Sequence, residues 1–230
     1  MDIPTSNLHK QSVQSLDTTT LLSNAARQRD ARNYSSFPIV DVDCHHYENE
    51  SLQEIVKYID DPVLKQMGQL YTGGGTGGQT PFNPGLVGYQ DVAGRVTRYP
   101  LRKTETTPGD GTHRDVHLSL RWMDAMGVDY VCLFPTPMLS LGLHPQPEVE
   151  GALARAYNRW LLENITSKNE RIKTMLYVPF NDAEAAFQTV QEFGSHPDVI
   201  GFMICSVRYN GVHENQYMKT YSLIEELGKP

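Results

Sequence analysis

Short apolar runs alternate with helical stretches along most of this chain, and that alternation limits the fold more than any other feature. Phe37–Asp43, Val128–Phe134 (VDYVCLF), Arg171–Val178 (RIKTMLYV) and Val199–Cys205 (VIGFMIC) are short and largely β-branched, aromatic or aliphatic, which predicts strands. Helical patterns lie between and after them. Ser51–Gln69 reads as a helix broken or kinked near Pro62. His113–Met126 places Val116, Leu120 and Met123 on one face and meets Gly127 as its stop. Glu148–Ile165 repeats Val149, Leu153, Ala156 and Trp160 at helical spacing. Asp182 is placed to cap a helix running to Phe193, and Asn215 precedes one that ends at Leu227 with Gly228 behind it.

Four β-then-α units with near-continuous apolar strands predict an α/β fold with a parallel sheet. A doubly wound sheet and a (β/α)8 barrel of the TIM type both begin in this way. The barrel is the expectation here, with about the first four units present, because four units alone leave two open sheet edges. Gly228-Lys229-Pro230 also reads as a helix stop leading into a strand, so the chain is expected to be cut short of a longer barrel.

Two stretches break the pattern. Residues 1–36, rich in Ser, Thr, Asn, Gln and Arg, read as a flexible arm with a short helix at Leu21–Arg32. The barrel-like domain then occupies residues 37–230, interrupted by a long irregular insertion at 71–112 that is expected near the barrel mouth. The run Thr72–Gly78 has no lysine at P-loop spacing and no strand before it, so it reads as flexible linker, not a phosphate cradle.

Composition narrows the function classes. With 20 basic and 27 acidic residues the net charge is -7, and no basic patch appears, which speaks against nucleic acid as a partner. No run of 18 apolar residues and no signal-like leader is found, so neither a membrane span nor secretion is expected. Cys44, Cys132 and Cys205 all lie in or at the end of apolar runs, which predicts buried free thiols and a cytoplasmic protein.

The segment Val40-Asp41-Val42-Asp43-Cys44-His45-His46-Tyr47-Glu48 is the richest in chemistry. It sits where the first strand ends, and in parallel α/β folds function gathers at the carboxyl ends of strands. Alternation puts Asp41, Asp43 and His45 on one face and Val42, Cys44 and His46 on the other. A carboxylate oxygen from Asp43 and an imidazole nitrogen from His45 can then grip one divalent cation. The plainer reading has Asp43 capping a turn and His45 packing on a loop. His46, on the opposite face, reads as packing or as support for a ligand.

This segment resembles the opening metal motif of the amidohydrolase superfamily, in the amidohydrolase-2 branch related to aminocarboxymuconate-semialdehyde decarboxylase. That branch opens with Asp-x-His-x-His; here Asp43 replaces the first histidine and His45 matches the second. The likeness continues through Arg121-Trp122-Met123-Asp124, Gly127-Val128-Asp129, Ala156–Leu161, Arg171-Ile172, Val178-Pro179, Gly201-Phe202 and Glu225–Pro230. The resemblance implies a metal-dependent hydrolase or non-oxidative carboxy-lyase (decarboxylase) acting on a small carboxylate-bearing molecule. Zinc is the first expectation for the metal, and the carboxylate ligand opens manganese or magnesium. The resemblance also implies further metal histidines and a catalytic aspartate beyond residue 230.

Other candidates are weaker. His144, in the loop after the second strand, and Arg208, after the fourth, are candidate substrate contacts; the planar fork of an arginine suits a carboxylate. Glu48 is a candidate for fixing a ligand, and Asn181 for the rim after the third strand. His113 and His117 are four apart but lack the Glu of His-Glu-x-x-His, so their spacing reads as coincidence. Two alternatives to the enzyme reading remain. One is an inactive barrel fragment or non-catalytic binding domain. The other is a phosphoesterase barrel, which needs many more His and Asp at strand ends than Phe134-Pro135 and Val178-Pro179 provide. A homo-oligomer through open sheet edges is also expected.

Overall fold

The computed structural model describes residues 18–46, 48–72 and 107–230. Its elements in chain order are α1 (Thr18–Ala31), β1 (Val40–His46), α2 (Leu52–Ile55), α3 (Pro62–Thr72), α4 (Arg114–Met126), β2 (Tyr130–Pro135), α5 (Pro147–Asn164), β3 (Ile172–Tyr177), α6 (Ala183–Phe193), β4 (Val199–Met203) and α7 (Met218–Leu227). The strands form one four-stranded parallel sheet in the order β1-β2-β3-β4. Neighbours in sequence are neighbours in space, joined by helical crossovers, as successive β/α units require. The expected α/β class and parallel sheet are therefore present. A partial barrel is compatible with this order.

Cα packing divides the chain into two compact units. The first contains α1 and α4. Its end is closed by Asp129, whose N–H donates to Ile39 O at 2.8 Å and whose Oδ2 accepts from Ile39 N–H at 2.7 Å. Helix α4 starts at His113, whose Nδ1 accepts from Asp115 N–H at 3.1 Å, and stops at Gly127 with φ 75°. A side chain at Gly127 would also meet Arg29 Cγ at 2.7 Å, so both backbone and space demand glycine.

The second unit holds the sheet and the remaining helices. Its core gathers Leu162 of α5, Leu176 and Val178 at β3, Ala186, Val190 and Phe193 of α6, and Val199 of β4, with Phe180 and Tyr217 stacked at 3.9 Å between ring centroids. The α5 stripe predicted from spacing is buried throughout, with Val149, Leu153, Ala156 and Trp160 at 2% exposure or less. Val149 and Leu153 each contribute roughly 1.5–3 kcal/mol on burial. Asp182 caps α6 by accepting from Glu184 and Ala185 N–H. The predicted Ser51–Gln69 helix is broken: α2 is one short turn, and α3 begins at Pro62, with Asp61 Oδ1 accepting from Val63 and Leu64 N–H. Helix α7 ends at Gly228 with φ 64°, and Phe202 N–H of β4 donates to Pro230 O at 2.7 Å.

The predicted arm helix appears as α1; residues 1–17 lie outside the described residues. So do residues 73–106 of the 71–112 insertion, including Gly73–Gly78. No helix among the described residues is long and apolar enough to cross a membrane.

Candidate functional site

Backbone alternation in β1 sends its side chains to two different fates. Cys44 and His46 are 1% exposed. His46 Nε2 shares a hydrogen bond with Tyr157 Oη at 2.7 Å, and its ring lies parallel to Trp160 with centroids 6.3 Å apart. This is the packing role expected of it. Asp43 and His45 point the other way and retain 77% and 35% side-chain exposure.

Asp43 and His45 meet. His45 Nε2 stands 3.0 Å from Asp43 Oδ1. The opposite ring nitrogen, Nδ1, is 3.0 Å from the Pro135 carbonyl oxygen, where it can only donate. With Nδ1 donating to that carbonyl, an imidazole without a proton on Nε2 turns a lone pair toward the carboxylate oxygen. Two acceptors face each other at hydrogen-bond distance, an arrangement that is satisfied by a proton or by a cation between them. A backbone carbonyl on the far nitrogen is the usual device for orienting a metal-binding histidine. The His45 ring also lies 5.8 Å from the Phe134 ring.

The same face continues across the sheet. Cys132 is in register with Lys173, and Tyr177 with Met203. Paired residues of parallel strands share a side, and residues two apart share a face. Phe134, whose ring approaches His45, and Cys132, two residues before it, share the face that bears His45. Burial pushes the Cys132 thiol up to about 11, and the charges of Asp41 and Asp43 add to the rise. Cys205, just past β4, is likewise raised to about 11 by burial. All three cysteines are free and buried, as the sequence predicts. Cys132 and Cys205 stay protonated near neutrality and are poor nucleophiles there.

The loops at the carboxyl ends of the strands are knitted together. Glu48, 1% exposed, accepts from Thr136 N–H at 2.9 Å and Met138 N–H at 2.6 Å, fixing the 3-10 turn Pro137–Leu143 after β2. Glu150 of α5 accepts from Phe180 and Asn181 N–H after β3, and burial raises its carboxyl above the ordinary range against the pull of those two amides. Asn181 is the hub. Its Nδ2 donates to Gly142 O at 2.7 Å, its Oδ1 accepts from Tyr209 N–H at 2.8 Å, and its carbonyl accepts from Asn210 Nδ2 at 3.2 Å. Tyr209 Oη closes the ring by donating to Leu143 O at 2.7 Å.

The two candidate substrate contacts differ in setting. His144 is 5% exposed, and its Nδ1 accepts from Gln146 N–H at 3.1 Å in the turn that leads into α5. Arg208 is half-buried, with Nη1 donating to Cys205 O at 2.6 Å and its guanidinium 5.9 Å from the centre of the Phe180 ring. His113 serves as the α4 cap and His117 pairs with Asp110 at 3.0 Å, so neither spacing nor geometry joins them in a site. Among the described residues no group of three or more His, Cys, Asp or Glu stands ready for a metal ion. Asp43 and His45 supply two donors of the right chemistry for one.

Sequence reading missed Glu150. Glu150 had a signal: it shares a helical stripe with Ala154, Tyr157 and Leu161, and an acid on an apolar stripe needs a partner. No family model matches the chain, and no curated protein matches it.

Proposed function

We propose that this chain is a metal-dependent, amidohydrolase-like enzyme, a hydrolase or non-oxidative carboxy-lyase acting on a small carboxylate-bearing molecule. One observation carries the reading: the carboxylate of Asp43 and Nε2 of His45 converge at 3.0 Å on the carboxyl end of β1, with the opposite ring nitrogen held against Pro135 O. Asp43 and His45 would hold a divalent cation, zinc first and manganese or magnesium next, with the other positions of a four- to six-coordinate shell supplied elsewhere. Such a cation, when bound, polarises a water or a substrate oxygen. The chain's own share is orientation: Pro135 O fixes the His45 ring, and Glu48 fixes the loop that carries Pro137–Leu143. A non-catalytic binding domain is the second reading, favoured by the absence of a third ligand among the described residues.

The test is calorimetric titration with zinc, manganese and magnesium, with elemental analysis after dialysis. One site per chain is expected. Asp43→Asn and His45→Ala should each weaken it by at least the ~10–100-fold that losing a supporting contact costs. Equal affinity in all three proteins overturns the site. Turnover of aromatic or semialdehyde carboxylates is expected only from a chain extended through four further β/α units; an extended chain that binds metal at the intact site without turnover favours the binding domain.

A further inference from the structure

Asn210 and Gly211 are consecutive, half-buried residues of the loop after β4. Glycine has no Cβ to shield its backbone nitrogen, so that nitrogen can attack the side-chain carbonyl of a preceding asparagine. The surroundings of this pair are suited to that attack. Gly211 N–H donates to Glu214 Oε1 at 2.7 Å, a distance at which a carboxylate can act as a general base. Gln216 Nε2 donates to Glu214 Oε2 at 2.6 Å and holds the carboxylate in place. Asn210 Nδ2 donates to Asn181 O at 3.2 Å and to the Tyr217 hydroxyl, whose own proton goes to Phe180 O at 2.7 Å. The side-chain nitrogen of Asn210 therefore sits against two oxygens that have no proton to return.

We propose that Asn210 is a site of spontaneous deamidation, a covalent change that loosens the loops joined by Asn181. The Gly211 nitrogen bonds to Asn210 Cγ while Glu214 takes the amide proton. The Cγ–Nδ2 bond breaks, the nitrogen leaves as ammonia with that proton, and a succinimide remains. Water opens the ring at either carbonyl, which leaves aspartate or isoaspartate at 210 and releases one proton from the new acid. The product has oxygen in place of Nδ2. Asn181 O cannot donate to it, and Tyr217 can do so only by giving up Phe180 O. Both ties that run through Nδ2 are lost, next to Tyr209, whose N–H donates to Asn181 Oδ1. This change needs neither Asp43 nor His45, so it stands apart from the proposed function.

The test is incubation of the full chain in mildly alkaline buffer, with peptide mapping by mass spectrometry at intervals. Deamidation should appear at Asn210 ahead of the other asparagines, as both aspartate and isoaspartate. Glu214→Gln should slow it at least ~10-fold, less than the full effect of a positioned base because hydroxide also serves. Gly211→Ala should slow it several-fold; the added methyl meets the His213 ring first, an exposed side chain that can swing aside. Asn210→Asp, which carries the product's charge from the start, should raise amide exchange at Tyr209 several-fold. Circular dichroism and thermal unfolding check that each variant is folded at the incubation temperature; if Glu214→Gln is not, Glu214→Asp, with its carboxylate drawn back by one methylene, takes its place. Asn210 outlasting the other asparagines, a Glu214 variant converting as fast as the parent chain, or unchanged exchange at Tyr209 in Asn210→Asp overturns the proposal.

Discussion

A methyl group on Gly142 would stand 2.1 Å from the Val207 carbonyl oxygen, against the Val207–Arg208 backbone, with no flexible side-chain end to yield. Gly142→Ala is therefore expected to destabilise the protein by about 1–3 kcal/mol, the usual cost of overpacking a tight contact. Urea unfolding measures it; a change within ~0.5 kcal/mol of zero would show that the loops part easily. The same scale shows what a sequence can reveal about a site. Period-two alternation separated Asp43 and His45 from Cys44 and His46, and the side chains divide accordingly. Alternation says nothing about which loop amide binds two oxygens, so the place of Asn210 stayed hidden. Glycine at 142 was equally silent, since its need arises from a loop more than sixty residues away.

Among the elements, local chemistry was legible and exact strand limits were not. Gly127 and Gly228 stop their helices in the left-handed conformation, and Asp182 caps α6, all as residue type predicts. Strand β1, expected at Phe37–Asp43, runs Val40–His46 instead. Pro38 has no N–H to give to a ladder, and Ile39 is engaged with Asp129, so pairing starts later. That shift of three residues places His45 inside the strand, where its direction is fixed. The turn after β2 depends on a side chain from outside itself. Glu48→Ala would leave Thr136 and Met138 N–H without their acceptor, and amide exchange at those two positions should rise at least ~10-fold, following the stability of a hydrogen bond to a charged group. Unchanged protection there would mean that the turn holds its shape unaided.

For the whole molecule, the order of β and α segments sufficed to give a parallel sheet with strands in sequence order, because helical crossovers between parallel strands leave few other topologies. Long-range polar links were beyond such reading. Glu150 is the instructive case, since its burial has a consequence for pH. Its carboxyl binds a proton more tightly in the folded chain than in the unfolded one. Between those two affinities the folded state carries more protons, so stability falls as pH rises from the ordinary carboxylate range through the raised value. Glu150→Gln should flatten that part of the stability–pH curve while lowering stability elsewhere, because one of the two backbone amides then faces an NH2 group. Denaturant midpoints collected across acidic pH measure the slope; an identical slope in the variant would place the titration on another group.

The Asn181 hub carries a consequence for ancestry. One amide side chain, after β3, ties segments that follow β2 and β4 to its own. A lineage that lengthens or recolours any one of them disturbs the other two at once, and a lone replacement of Asn181 removes the side-chain ties to Gly142 and Tyr209 together. Selection therefore sees these loops as a single heritable block. New specificities at this end of the sheet are expected to arise by compensated changes in several loops together, and descendants should differ here by whole sets of residues or hardly at all.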